Sequence, residues 1–200
     1  YSYSSYDDDG NYVNNNIWNP YIPEYESIFN EDINEDGFIG FNADLLEKVS
    51  TDTFGTELYR AEKNLFIKEG SDFLRISNKD GYSLEEYSYE SSDYSSSNVG
   101  YAVEKNDDGG YYLAFKNTWK STYQNNVTED TSWNVYTLDA NGKYTWNDVQ
   151  YLNSIADSET LFKQDLNGDN LIGINVSALN KVSSDTTGYR LLTDDEGATY

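Results

Sequence analysis

Nine residues rich in side-chain oxygen, DINEDGFIG at 32–40, return as DLNGDNLIG at 165–173, and the match extends well beyond them. Sliding the chain by 133 positions (32 to 165) aligns 26–55 with 159–188, and fifteen of those thirty residues are identical. Glu26/Glu159, Phe29/Phe162, Gly40/Gly173, Lys48/Lys181, Val49/Val182 and Gly55/Gly188 are among them. A second match lies at offset 132, where Asp9-Gly10-Asn11-Tyr12 meets Asn141-Gly142-Lys143-Tyr144 and Asp7 meets Asp139. Self-similarity of this kind marks a repeat architecture, in which one supersecondary unit is built again along the chain. The expected organisation is one complete unit between two partial ones. Residues 1–25 read as the closing hairpin of a preceding unit, 26–52 as the first oxygen-rich loop and its junction, and 53–158 as the central β unit. Residues 159–185 then carry the second loop and junction, and 186–200 open a following unit. On this reading the chain is a processed or excised piece of something longer, since Tyr1 is no initiator.

Between the loops the punctuation is that of strands. VGYAVEKNDDGGYYLAFKN at 99–117 alternates on both sides of a Gly-containing turn, which predicts a hairpin with Tyr101, Val103, Tyr111, Leu113 and Phe115 on one face. WNVYTLDANGKYTW at 133–146 reads as another hairpin, turning at Asp139–Gly142, with Trp133 and Trp146 facing each other in the core. Weaker hairpins are expected at 58–67 and 73–84, a long low-complexity loop at 85–98, and short helices around 24–31, 43–49 and 154–164. The fold expected is mainly β, an antiparallel hairpin-built domain with short helices and EF-hand-like loops at the unit junctions.

Composition decides what chemistry such a chain can carry. There is no Cys, Met or His, so disulfides, zinc sites, thiol nucleophiles and imidazole bases are excluded. With 36 acids against 13 bases the net charge is −23, which makes nucleic acid and anionic membrane surfaces poor partners. No apolar run approaches the length needed to insert into a membrane, and the opening residues are not expected to act as a signal peptide. Ile, Leu, Val and Phe together number only 42, so the 20 Tyr and 4 Trp must supply much of the core. What remains is oxygen chemistry, and oxygen ligands select hard cations.

The repeated loop fits that chemistry. An EF-hand-type loop uses side-chain oxygens at positions 1, 3 and 5, a sharp turn at 6 and a backbone carbonyl at 7. Asp32, Asn34 and Asp36 fill 1, 3 and 5, with Gly37 at the turn and the Phe38 carbonyl at 7. In the second copy these are Asp165, Asn167, Asp169, Asn170 and Leu171. Asn tolerates the turn because it visits left-handed backbone readily. Position 8 is Ile39 or Ile172, expected to pin the loop to the core together with Phe29 or Phe162. Position 12, where an EF-hand places a bidentate Glu, holds Ala43 and Val176. The shell therefore needs another oxygen. Glu26/Glu159 is the favoured pair, because a short incoming helix could fold its carboxylate back, and Asp52/Asp185 and Asn42/Asn175 are the alternatives. Calcium suits such a site better than magnesium, which demands a stricter octahedron.

ETLF before the loop, GYYLAFKNT at 110–118, TSWNVYTLDANGKYTW at 131–146 and FKQDLNGDNLIG at 162–173 carry a likeness to a known family. The chain resembles the tryptophan-rich repeat domains of secreted, adhesin-like surface proteins of cyanobacteria and other bacteria, over most of 53–176. Its loops resemble those of dockerins and EF-hands. The resemblance implies calcium ligation by Asp165, Asn167 and Asp169 and by their copies Asp32, Asn34 and Asp36, and an extracellular, cell-surface location. It implies no enzymatic activity. The copy at 29–40 departs from the family pattern by Glu35 in place of Gly and by Asn30-Glu31 before the loop.

Paired carboxylates could serve a glycosidase, but among 36 acids such pairs arise by chance, and no enzyme is expected. The function expected is a calcium-binding structural or adhesive module whose partners are calcium ions and neighbouring units or identical subunits. One alternative is a lectin-like module, with Trp18 or Trp119 stacking on glycans. The other is a self-assembling surface filament or layer subunit, with partial units pairing by strand addition.

Overall fold

Five segments of the form Asp/Asn-x-x-Gly-x set most of the reversals. In each, the first side chain accepts the backbone N–H groups two and four residues on, mimicking a further turn of backbone. Asp7 takes those of Asp9 and Asn11, Asp52 those of Phe54 and Thr56, and Asn78 those of Asp80 and Tyr82. Asn106 takes those of Asp108 and Gly110, and Asp139 those of Asn141 and Lys143; all ten bonds measure 2.7–3.1 Å. The fourth residue is always Gly, at φ between +72° and +95°, where a Cβ would be strained.

The computed structural model describes residues 3–17, 22–35, 37–124, 126–174, 176, 179–184, 186 and 190–193. The chain is mainly β, with antiparallel sheets and two short helices. Strands β1 (Tyr3–Tyr6) and β2 (Tyr12–Ile17) form a hairpin ahead of helix α1 (Pro23–Phe29). A four-stranded sheet follows in simple order: β3 (Glu47–Thr51), β4 (Glu57–Ala61), β5 (Asn64–Glu69) and β6 (Asp72–Arg75). After β7 (Ser77–Asn78) come β8 (Tyr87–Glu90) and the long strands β9 (Tyr94–Lys105), β10 (Tyr111–Tyr123) and β11 (Asn126–Leu138). With β13 (Val149–Leu152) they make a five-stranded sheet ordered 13-11-10-9-8, while β12 (Lys143–Tyr144) pairs in parallel with β7. Helix α2 (Ala156–Phe162) and a last hairpin, β14 (Asn180–Ser184) with β15 (Arg190–Thr193), complete the order.

Strand alternation gives each sheet two faces, and the chain covers them in layers. Leu58, Leu65 and Ile67 of the smaller sheet pack on Val103, Tyr111, Leu113, Phe115, Tyr136 and Leu138 of the larger. The opposite face of the larger sheet, with Ala102, Ala114, Trp133 and Val135, is covered by Ile155, Phe162 and Leu166. The outer face of the smaller sheet, with Ala61 and Phe66, is covered by Phe41 and Leu46. Phe41 lies just beyond the first oxygen-rich loop, and α2 carries the second. The exit of one loop and the whole of the other thus lie on opposite outer layers.

Several local expectations change in this frame. β9 carries a bulge, since Ala114 pairs with Ala102 but Phe115 with Gly100. The extra residue, Tyr101, is turned away from Val103 and packs edge-on against Trp133 at 5.1 Å. Residues 85–98 are not a long loop: Tyr87–Glu90 and the start of β9 extend the larger sheet by an edge strand. The chain after Asp139 does not return along β11 but pairs with β7, so Trp133 and Trp146 do not face each other. Trp133 is 4% exposed and Trp146 63%, its ring resting on Tyr144 alone among the described aromatic pairs. The expected helix at 43–49 is one 3-10 turn, Ala43–Leu45, running into β3. Trp18 lies outside the described residues.

Candidate metal centre

Each loop begins at a two-turn helix whose fourth residue is a glutamate. Glu26 and Glu159 are fully buried. Glu26 Oε1 accepts the N–H groups of Ile33 and Asn34, both at 3.0 Å, and its Oε2 accepts that of Gly40 at 3.1 Å. Glu159 repeats this with Leu166 and Asn167 at 2.9 and 3.0 Å and Gly173 at 2.9 Å. A buried carboxylate is tolerable only when its oxygens are met by such donors, and charge-assisted bonds of this kind are among the stronger ones. The glutamates do fold back onto the loop. They grip it through the backbone at positions 2, 3 and 9. Position 9 is Gly in both copies, at φ +84° and +88°. A Cβ there would sit 2.5 Å from Ser27 Oγ in the first loop and 3.1 Å from Thr160 Cγ2 in the second, so helix and loop exit meet closely.

The loop interior follows the same plan twice. Asp32 Oδ2 accepts the Gly37 N–H at 2.9 Å and Asp165 Oδ2 the Asn170 N–H at 2.7 Å, closing position 1 onto position 6. Left-handed backbone recurs at position 4 (Glu35, Gly168) and position 6 (Gly37, Asn170). In the second loop Asp165 Oδ1 also accepts from Gly168, Asn167 Oδ1 from Asp169, and Asp169 Oδ1 from Leu171, at 2.7–2.9 Å. These oxygens are turned into the ring of the loop, and each keeps a further lone pair. Neither nine-residue loop contains a base. Among the described residues no three acidic side chains converge as a ready metal group. An ion at either loop would draw on Asn and a backbone carbonyl as well as Asp.

Asn34, Phe38 and Leu171 sit at the exposed rim, and Asp36 lies outside the described residues, as do Asp185 and Asn175. Asp52 is occupied in the turn between β3 and β4, and Asn42 Oδ1 accepts the Asp44 N–H at 3.0 Å as the cap of the 3-10 turn. Ile39 and Ile172 are exposed and do not pin the loops to the core. Phe162 does so for the second loop, and Phe29 is left exposed in the first.

Sequence reasoning missed one further element. Lys163, the left-handed residue ending α2, reaches Glu104 Oε1 of β9 at 2.8 Å, with its ammonium 4.6 Å from the Phe54 ring. Burial pushes the Glu104 carboxyl above the usual range, with Asp52 nearby adding to the rise and Lys163 opposing it. This latch ties the second loop to the sheet. An acid alternating with apolar residues on β9 was its only sequence signal. No family model, curated protein or solved structure matches this chain. No helix among the described residues is long and apolar enough to cross a membrane.

Proposed function

We propose that the chain is a calcium-stabilised β module of an extracellular, repetitive surface protein, with one ion in each oxygen-rich loop stiffening the junction between successive β units. The observation that carries the reading is the duplicated loop frame. The same glutamate clamp, the same closure of position 1 onto position 6 and the same left-handed positions recur 133 residues apart (26 to 159), around nine-residue loops that contain no base. A frame of this kind holds Asp165, Asn167, Asp169 and the Leu171 carbonyl close together before any ion arrives, which lowers the cost of ordering them. Asp32, Asn34, Asp36 and the Phe38 carbonyl are the corresponding set. Glu26 and Glu159 act in this proposal as clamps of the loop backbone. Hard-cation chemistry suits the all-oxygen donors, and calcium accepts the flexible, water-completed shell that a loop without a position-12 carboxylate provides.

The role is structural or adhesive, with neighbouring units or identical subunits as partners. Melting followed with calcium and with chelator tests it. Calcium should raise the melting temperature, and Asp165→Asn with Asp169→Asn should abolish most of that rise. A melt indifferent to calcium would remove the reading.

A further inference from the structure

We propose that the polar groove between the outer half of the larger sheet and the second loop binds a neutral oligosaccharide. The groove exists because α2 and its loop cover only part of the sheet. They pack on Ala102, Ala114, Trp133 and Val135, and β13 pairs with β11 only at 133–136. The strands run on beyond that edge, and the step leaves a cavity of about 830 Å³, within the ~300–1,000 Å³ typical of small-ligand sites. Its floor is built from directly paired residues of β10 and β11: Lys116 opposite Trp133, Thr118 opposite Thr131, Lys120 opposite Glu129. Asn153 and Asn167 line its wall, the latter from the second loop.

Most lining side chains end in a hydroxyl, amide, ammonium or carboxylate, beside Trp119, Trp133 and Ile155; Thr118 Oγ1 shares a hydrogen bond with Ser97 Oγ at 2.6 Å and keeps further bonding capacity. The Lys116 ammonium lies 5.4 Å from the centres of the Tyr101 and Trp133 rings, and no hydrogen bond or ion pair among the described residues engages it. Lys120 and Glu129 are 3.7 Å apart and mostly exposed, a pair weak enough to open toward a ligand. Donors and acceptors in close alternation match a polyhydroxylated chain, whose groups replace groove water bond for bond. An apolar ligand would leave these groups unpaired. An anionic glycan would meet Glu129, the acidic second loop and a net charge of −23, so the ligand class is neutral.

The inference does not rest on the calcium reading, and titrations in calcium and in chelator both count. The full chain is titrated by calorimetry with neutral hexaoses (cellohexaose, maltohexaose, laminarihexaose, xylohexaose, mannohexaose) and with hexagalacturonate as the anionic comparator. At least one neutral hexaose should bind with a Kd below ~1 mM. Lys116→Met keeps the stem over the rings and Thr118→Val keeps the shape. Either should weaken binding about tenfold or more, equivalent to ~1.4 kcal/mol. Lys116→Met should do so at an unchanged melting temperature, while Thr118→Val also loses the Ser97 hydrogen bond and is titrated at a temperature where it is fully folded. Absence of neutral binding, equal or tighter binding of hexagalacturonate, or neutral binding that survives both variants would overturn the proposal.

Discussion

The two oxygen-rich loops share a sequence, a glutamate clamp and a set of left-handed residues, yet they stand in opposite relations to the protein around them. In the second, Phe162 is fully buried, Leu166 and Ile155 are in the same cluster, and Lys163 is latched to Glu104. In the first, Phe29 is 52% exposed, and Asn30 stands where Lys163 does. The difference teaches that the loop is a self-sufficient local structure, closed by its own helix. Docking is added by whichever sheet lies behind it. For the second loop that sheet is the larger one. The first loop follows β1 and β2, and its apolar residues have no such sheet against them among the described residues.

Replacing the docking side chain should break this asymmetry most strongly. Phe162→Ala should cost about 3–5 kcal/mol in denaturant unfolding, as for other fully buried aromatics. Phe29→Ala should stay within about 0.5 kcal/mol. Equal losses would mean that the first loop is packed as tightly as the second.

Calcium should sharpen the contrast. At a hundredfold excess over its Kd an ion that binds only the native state adds about 2.7 kcal/mol. That gain should appear in global unfolding through the second loop and disappear in Asp165→Asn. Asp32→Asn should leave the global melt almost unchanged and instead loosen the junction, seen as wider small-angle scattering profiles and faster hydrogen exchange at 33–40. Chelation should likewise free the junctions before it melts the pairing of β9, β10 and β11.

The clamps should repeat the asymmetry through the loop backbone. Glu159→Gln and Glu26→Gln each weaken charge-assisted bonds of about 1.5–3 kcal/mol. Glu159→Gln should lower global stability by an amount in that range. Glu26→Gln should show itself as lost exchange protection at Ile33, Asn34 and Gly40, with little global change. If neither variant altered protection at the loop amides, the clamp would not be holding the loop.

The latch should give the smallest signal, and its sign is fixed by burial. The folded chain holds the Glu104 proton more firmly than the unfolded chain does. Stability therefore falls as pH rises from the ordinary carboxylate range through the raised Glu104 value. Glu104→Gln should flatten that part of the melting profile, above the ordinary carboxylate range, while the general loss from acidic self-repulsion remains in both proteins. An unchanged slope would place Glu104 in contact with water.

Sequence alone was enough for whatever depends on near neighbours. The Gly-containing turn within 99–117 and the turn at Asp139–Gly142 were legible in the sequence, because such a turn is closed by a side chain acting on backbone two and four residues away. The repeat picked out the loops, the left-handed tolerance of Asn170 and the correspondence of Glu26 with Glu159, but not the loop amides whose hydrogen bonds those carboxylates accept. A carboxylate and a nearby loop can be joined around an ion or through the loop amides, and spacing does not distinguish them. Alternation also placed Val103, Tyr111, Leu113 and Phe115 together. It could not foresee the bulge that turns Tyr101 onto Trp133, nor the parallel pairing that carries Trp146 out of the core. Nor could it tell Phe29 from Phe162, identical residues in matching positions. Burial is decided by which surface lies opposite, and that surface is assembled from strands dozens of residues away in the chain.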